Sequence, residues 1–437
     1  AYRRQRQMCI RDSYEIENVK VTAKGYYTNN TPSGAMRTFG VLQPTFAIES
    51  TMDICSERLG IDPFELRLLN GLKDGSKAHT QQALGHVAYC ETLRRCRELS
   101  GWEPGPSRMR GPARKDVNGG EIVQPYIPGC EFKSPAALAL CKSRFRYGRG
   151  VGTAWYGIGR CATVDKAGAF VEIDDGGTAM VLTGATEIGE GLLTVLTQIA
   201  AEELGIYPED VTIGDNDTAR VPEAAHAGAS RQTYMIGNAV LNACRDAKDK
   251  FIREIAEYWN VEAASIRMRN RRIFVEGHAN YDLPLEEAVD ICKKVRGVVP
   301  LGSGIYTAHH ESLDPKTGKG NPWQAYVYGS QVAEVAVDTS TGEVHVLGIW
   351  AAHDVGRAVN PRGVEGQIEG GVVMSMGYAL TERYPIDENC KPIEKYGQLG
   401  LLRAHEIPDI RAIVIDKPGL DVACGAIGIG EITSIPT

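Results

Sequence analysis

The sequence predicts an α+β fold, with mixed sheets and helices packed on them, on three observations. Two stretches, "GAFVEIDDGGTAMVLTG" and "QVAEVAVDTSTGEVHVLGIWAAHDVG", alternate apolar and polar residues around turn-forming clusters, as β-hairpins do. Others space apolar residues three and four apart, as helices with one buried face do. No repeat of fixed period runs through the chain.

Taken in order, "YEIENVKVTAKGYYT" from Tyr14 reads as strand-like, followed by the polar turn "NNTPSG". A helix is expected over roughly 43–59, with Phe46, Ala47, Met52, Ile54 and Cys55 as its apolar face. "DPFELRLLN" predicts a short helix capped by Asp62, with Pro63 in the first turn, where its missing N–H costs nothing. Residues 101–145, rich in Pro, Gly, Arg and Lys, read as a long connection. A new unit starts near Tyr147, with a hairpin about Asp174-Asp175-Gly176-Gly177. Then come a helix from Leu192 to about Leu204, the strand "DVTIGDND" and a helix from about Tyr234 to Trp259. A strand pair near 266–276, a helix near 284–295 and a hairpin turning at Asp338, Thr341 and Gly342 follow, then a helix from Pro361 to about Glu382.

At 437 residues the chain has room for two or three cored domains. Its 43% hydrophobic and 24% charged residues are those of an ordinary globular protein. A net charge of −7 argues against nucleic acid as the main partner. No run of about 18 apolar residues calls for membrane insertion. The 11 cysteines form no C-x-x-C pair and the 9 histidines no H-E-x-x-H, so no protein-ligated metal is expected. Scattered cysteines suggest reduced thiols and a cytoplasmic location. The first 13 residues match nothing after them, and Met8-Cys9-Ile10-Arg11-Asp12-Ser13 reads as a translated sequencing adapter, set apart from the fold. With the stop at Ile435-Pro436-Thr437, this suggests a reading frame truncated at both ends.

Chemistry is concentrated in glycine-rich loops near helix starts: "EIGEGLLT" (187–194), "AHAGASRQT" (225–233) and "GVEGQIEGG" (363–371). Such loops let backbone N–H groups approach an anion closely. A fourth loop, "GAIGIGE" (425–431), sets one carboxylate, Glu431, after three glycines. None is a dinucleotide fingerprint or a P-loop.

In order and spacing the set resembles the molybdopterin-binding large subunit of the xanthine dehydrogenase/aldehyde oxidase family. "TPSGAMRTFGVLQPTFAIESTMD", "GATEIGEGLLTVLTQIAAEELGI", "GASRQTYMIGNAV", "DVGRAVNPRGVEGQIEGGVVMSMG" and "GAIGIGE" carry the likeness over essentially all of residues 14–437. It implies that 14–100 ends one molybdenum-binding domain and 146–437 forms most of a second. The implied cofactor is molybdenum on molybdopterin, the cytosine dinucleotide form included, held through the pterin rather than by a side chain. Iron–sulfur and FAD groups are implied on partner chains or a missing region, within an oligomer of heteromers.

By the same resemblance Glu431 is the general base that activates the hydroxylating oxygen, and Arg37, Gly189, Glu190, Gly191, Gly228, Ala229, Ser230 and Gln367 surround the cofactor. Phe39 stacks on the substrate. Three positions depart from the pattern: Thr38 stands where glycine is usual, Glu190 where glutamine is, and Ile427 where lysine often is. The resemblance implies oxidative hydroxylation of an aromatic N-heterocycle, closest to bacterial purine-type members, with aldehyde, nicotinate-type and carbon monoxide oxidation as rivals. A scaffold that kept the fold without the cofactor is the reading from another class. The 437-residue chain by itself is expected to be inactive.

Overall fold

The computed structural model describes residues 13–22, 24–29, 34–103, 144–161, 163–417 and 420–436. Of the adapter-like residues 1–13 only Ser13 is in that set, buried and accepting from Leu72 N at 3.2 Å, and most of the expected connection lies outside it. The architecture is α+β, with three sheets among the described residues. In the largest, β1 (Phe145–Gly157) pairs antiparallel with β9 (Tyr326–Asp338), and β9 antiparallel with β10 (Val344–Asp354). β10 then pairs parallel with β11 (Asp409–Ile415), a connection that runs through the helix Pro361–Leu380. The second sheet is made of β2 (Lys166–Ile173), β3 (Ala179–Leu182), β4 (Val211–Ile213) and β8 (Leu301–Thr307), in the order β4-β3-β2-β8. The third is a small meander of β5 (Ile266–Arg269), β6 (Arg272–Val275) and β7 (Asp282–Pro284).

Helices α1 (Leu42–Leu59), α2 (Pro63–Asn70) and α3 (Tyr89–Leu99) precede the sheets. Phe64, Tyr89 and Leu93 share a core with Trp155, Tyr328 and Val332 of the first sheet. The second sheet buries Ala167, Val171 and Val181 against α4 (Leu192–Leu204) and α5 (Gly237–Trp259), through Leu196, Ile199, Val240 and Phe251. α5 lies almost on the backbone of β8: a Cβ on Gly304 would sit 2.3 Å from the Ala239 carbonyl oxygen. α6 (Leu285–Asp290) and α7 (Pro361–Leu380) follow along the chain. None of these helices is long and apolar enough to cross a membrane.

Local signals placed most elements. Asp62 caps α2 by accepting from Phe64 N at 2.9 Å and Glu65 N at 3.3 Å, and Pro63 opens the helix. The hairpin at Asp338 closes as expected, with Gly342 N donating to the Asp338 carbonyl at 2.7 Å.

Two expectations fail. The run after Tyr14 is not a strand: among the described residues only an isolated bridge, Tyr14 to Gly71, forms, and residues 15–20 are exposed, with no described strand beside them. α1 also turns the other way. Phe46 is 75% and Ile54 50% exposed, while Thr45, Glu49 and Ser56 are buried. The cause is Arg67, fully buried on α2, which pairs with Glu49 at 2.8 Å and Asp53 at 2.9 Å. Tyr14 and Thr153 also donate to Glu49, so this buried charge keeps several partners.

Asp354, at the end of β10, is fully buried. Its Oδ1 accepts from Gly356 N at 3.0 Å, and its Oδ2 has no partner among the described residues. Burial pushes the carboxyl up to about 7, against the opposing Gly356 N–H. The folded state therefore holds a proton that the unfolded chain releases near its usual value of about 4. That contribution is present in full below about pH 4 and gone above about pH 7. D354N is expected to flatten this slope, of up to about 1.4 kcal/mol per pH unit, in denaturant titrations across the window. Equal slopes in both proteins would refute it.

Candidate active site

Five separated segments meet in one cavity of about 550 Å³. Its lining includes Arg37 and Phe39 from the turn before α1, Gly189 and Glu190 before α4, Gly228 and Ser230 before α5, Gln367 on α7, and Glu431. These are eight of the ten residues singled out in the sequence. Of the other two, Ala229 touches Glu431 directly and Gly191 caps α4.

Glu431 is 5% exposed. Its Oε1 accepts from Ala229 N at 2.6 Å and its Oε2 from the Ser230 hydroxyl, while its own N–H donates to Ser230 Oγ at 3.2 Å. Ala229 and Ser230 adopt positive φ, 57° and 51°, so their loop turns tightly around this carboxylate. Gly428 makes that approach feasible, since a Cβ there would fall 2.0 Å from the Ser230 carbonyl oxygen.

Arg37 spans the distance between the first segment and the last. Its Nε donates to the Gly430 carbonyl, and its Nη2 to Gln367 Oε1 at 3.0 Å and to Thr433 Oγ1 at 2.8 Å. Burial pulls its pKa down, and the charge of Glu431 opposes that. Behind it lies fully buried His353, held down to about 3 by desolvation and by Arg37, hence neutral. The turn that delivers Arg37 and Phe39 is strained. Thr38 takes φ 103° and Phe39 φ 53°, and a β-branched residue rarely tolerates such a value. Position 38 is where glycine was the expected residue, and the backbone shows why.

The loop at 187–194 departs from expectation. Its N–H groups do not stand free for an anion. Glu187 Oε1 accepts from Gly189 N at 2.8 Å and Gly191 N at 2.9 Å, and its Oε2 from Leu193 N at 3.1 Å. Desolvation pushes the Glu187 carboxyl up, but the neighbouring Glu190 side chain and then these three N–H donors outweigh it and hold it down to about 2. Glu190 accepts from Ile188 N at 2.8 Å and from Gln232 Nε2 at 2.7 Å.

Sequence reasoning passed over Glu187, Thr433 and a supporting ion pair. Arg231 and Asp165, both with fully buried side chains, pair at 2.8 Å. Arg231 also donates to the Ala224 carbonyl, and Asp165 accepts from Arg160 N at 2.9 Å, so the pair anchors the loop that holds Glu431. Arg231 lay within a conspicuous motif, but nothing local marks Asp165 or Thr433. Glu187 carried a signal that went unused: an acid just before a helix start accepts the N–H groups there.

A family model for the molybdopterin cofactor-binding domain matches residues 131–408, and a second of the same description matches residues 4–71. The chain belongs to the molybdopterin cofactor-binding family of molybdenum hydroxylases. Among relatives of this family, a probable xanthine dehydrogenase subunit from Bacillus subtilis is 28% identical over 97% of the chain and 51% of the relative. An aldehyde oxidoreductase structure from Desulfovibrio gigas is 25% identical, with a TM-score of 0.69, over 92% of this chain and 38% of that one. A quinoline 2-oxidoreductase from Pseudomonas putida 86, at 23% identity and TM-score 0.74, covers 93% of this chain and 49% of the other, and shares the fold. The chain spans about half the length of curated relatives such as the Bacillus subtilis protein.

The residues present fit molybdopterin. Gly189, with φ 102°, has nothing within 4 Å of where a Cβ would stand, so the wall beside it is open for a large ligand. Gln232, in the same wall, is 8% exposed, and its buried amide oxygen has no partner among the described residues. No cluster of His, Cys, Asp and Glu able to hold a metal occurs among the described residues, and a metal carried on a pterin needs none.

Proposed function

We propose that the protein this chain represents hydroxylates an electron-poor carbon of an aromatic N-heterocycle of the xanthine or hypoxanthine kind, with water as the oxygen source. The observation that carries the reading is Glu431, a buried carboxylate at the cavity wall beside Arg37, to which no carboxylate is bound among the described residues. Bound molybdopterin, the cytosine dinucleotide form included, supplies a metal centre that delivers the oxygen and accepts two electrons.

The chain's own groups do the rest. Ala229 N and Ser230 Oγ each occupy one Glu431 oxygen, and each oxygen keeps a lone pair to take a proton. Because these donors are fixed by the fold, the carboxylate needs no reorganisation when it acts. Arg37 stabilises negative charge that develops beside it. Gln367, whose oxygen accepts from Arg37, lines the cavity and carries amide N–H donors for a ligand. Phe39 offers an aromatic face to a flat ring. Electrons leave to iron–sulfur and FAD partners, within an oligomer of heteromers in the cytoplasm.

The test uses the full-length protein with its partner subunits. Molybdenum and pterin are assayed first, then turnover of hypoxanthine, quinoline and an aldehyde in heavy-oxygen water. Stoichiometric molybdenum, with label entering the heterocycle, is the expected result. Oxidation of aldehydes alone would favour the second reading, which the likeness to the Desulfovibrio gigas protein supports. Absence of both molybdenum and pterin would leave a scaffold.

A further inference from the structure

Behind Arg37, outside the cavity lining, lie two buried polar side chains: Gln331 of β9 and His353 of β10. Gln331 Nε2 is 3.0 Å from His353 Nε2 and 2.8 Å from the Thr433 carbonyl oxygen. A carbonyl oxygen only accepts, so the Gln331 atom facing it is the amide nitrogen, which fixes the orientation of the amide. An amide nitrogen only donates, so His353 Nε2 accepts its second hydrogen. The imidazole is therefore neutral, with its proton on Nδ1. That buried Nδ1 has no partner among the described residues. The ring lies flush against β9, where a Cβ on Gly329, its partner in the strand register, would come 2.4 Å from Nδ1. The fold tolerates an unpaired N–H on that side and keeps the acceptor on the side of Gln331.

Thr433 is where this pair meets the site. Its carbonyl takes the Gln331 hydrogen, while its hydroxyl accepts from Arg37 Nη2 at 2.8 Å and donates to the Gly430 carbonyl at 3.0 Å. The same Gly430 carbonyl accepts from Arg37 Nε. From the other side α7 closes in, since a Cβ on Gly371 would fall 2.1 Å from the Thr433 hydroxyl oxygen.

We propose that His353 and Gln331 are positioning residues for Arg37, acting through Thr433. The acceptor on His353 orients the Gln331 amide, the amide holds the Thr433 backbone, and the Thr433 hydroxyl holds the guanidinium. Every link is uncharged. A carboxylate in place of any of them would draw the guanidinium inward and neutralise it, and an imidazolium would repel it and offer Gln331 a donor instead of an acceptor. The neutral chain fixes the direction of Arg37 and leaves its charge to a ligand in the cavity. Burial, and then the charge of Arg37, hold His353 down to about 3, so the acceptor persists at neutral pH.

This inference rests on the proposed role of Arg37 in stabilising negative charge, and the test separates the two. H353L removes the acceptor, whereas H353Q keeps one where Nε2 stood. Crystal structures of the full-length protein with its partner subunits are expected to show Arg37 Nη2 withdrawn from Thr433 Oγ1 in H353L and in place in H353Q. With a substrate that the wild type turns over, kcat should fall about 10–100-fold in H353L at nearly unchanged KM, and less than about threefold in H353Q. In an R37K background, H353L should cost less than about twofold more, because the residue it acts through is already altered. Arg37 unmoved in H353L, H353Q as impaired as H353L, or losses that simply multiply with R37K each overturn the positioning role. Where H353L does not accumulate as folded protein, Q331M removes the same hydrogen bond from the other side and is read in the same way. If no heterocycle is turned over the functional reading fails, yet the crystal structures still decide whether His353 places Arg37.

Discussion

Replacing Glu431 by glutamine in the complete enzyme is expected to cut turnover by about 10²–10⁴-fold, the usual contribution of a general base. The substitution keeps the side chain's shape. An amide oxygen can still accept from Ala229 N, and the amide nitrogen can donate to Ser230 Oγ, which changes from donor to acceptor. The loop, and the Gly430 carbonyl held by Arg37, should stay in place. What is lost is the carboxylate lone pair that takes the proton. Molybdenum and pterin content should therefore match the wild type while kcat falls. A variant with near wild-type kcat removes Glu431 from the role of base; one that loses cofactor as well makes the residue structural.

The second large effect concerns stability. Arg231→Met is expected to destabilise the fold by about 3–5 kcal/mol, because it strands the buried carboxylate of Asp165 and frees the Ala224 carbonyl. Removing both charges, in Arg231→Met with Asp165→Asn, should recover part of that loss, since the stranded charge goes too. Chemical denaturation of the single and double variants reads both effects. A single-variant loss under about 1 kcal/mol would show that water reaches Asp165. The same loop carries Ala229 and Ser230, so the less stable variant should also hold Glu431 less firmly.

How much of this was legible in the sequence depended on distance along the chain. Asp62, Pro63 and the turn at Asp338 act within four residues of themselves, and the elements they mark form as expected. The burial of α1 was misread because its orientation is set by Arg67, which lies on the next helix and draws Glu49 and Asp53 inward. Apolar periodicity carries no trace of such a pair. The candidate site was reached through family resemblance, which joins Arg37 to Gln367 and Glu431 where spacing alone does not. Thr38 marked its strained turn only as a departure from glycine. Asp165 and Thr433 act across the fold on motifs they do not belong to, so no window of sequence displays them.

The reach of Arg37 has a consequence in time. Its partner Gly430 lies 393 residues further along the chain. At translation rates of about 5–20 residues per second, the two leave the ribosome roughly 20–80 s apart. For that interval the arginine end of the pocket exists without Glu431. The last wall is added only as synthesis nears Glu431, so a cofactor that needs both walls is loaded after translation has passed this point rather than alongside it.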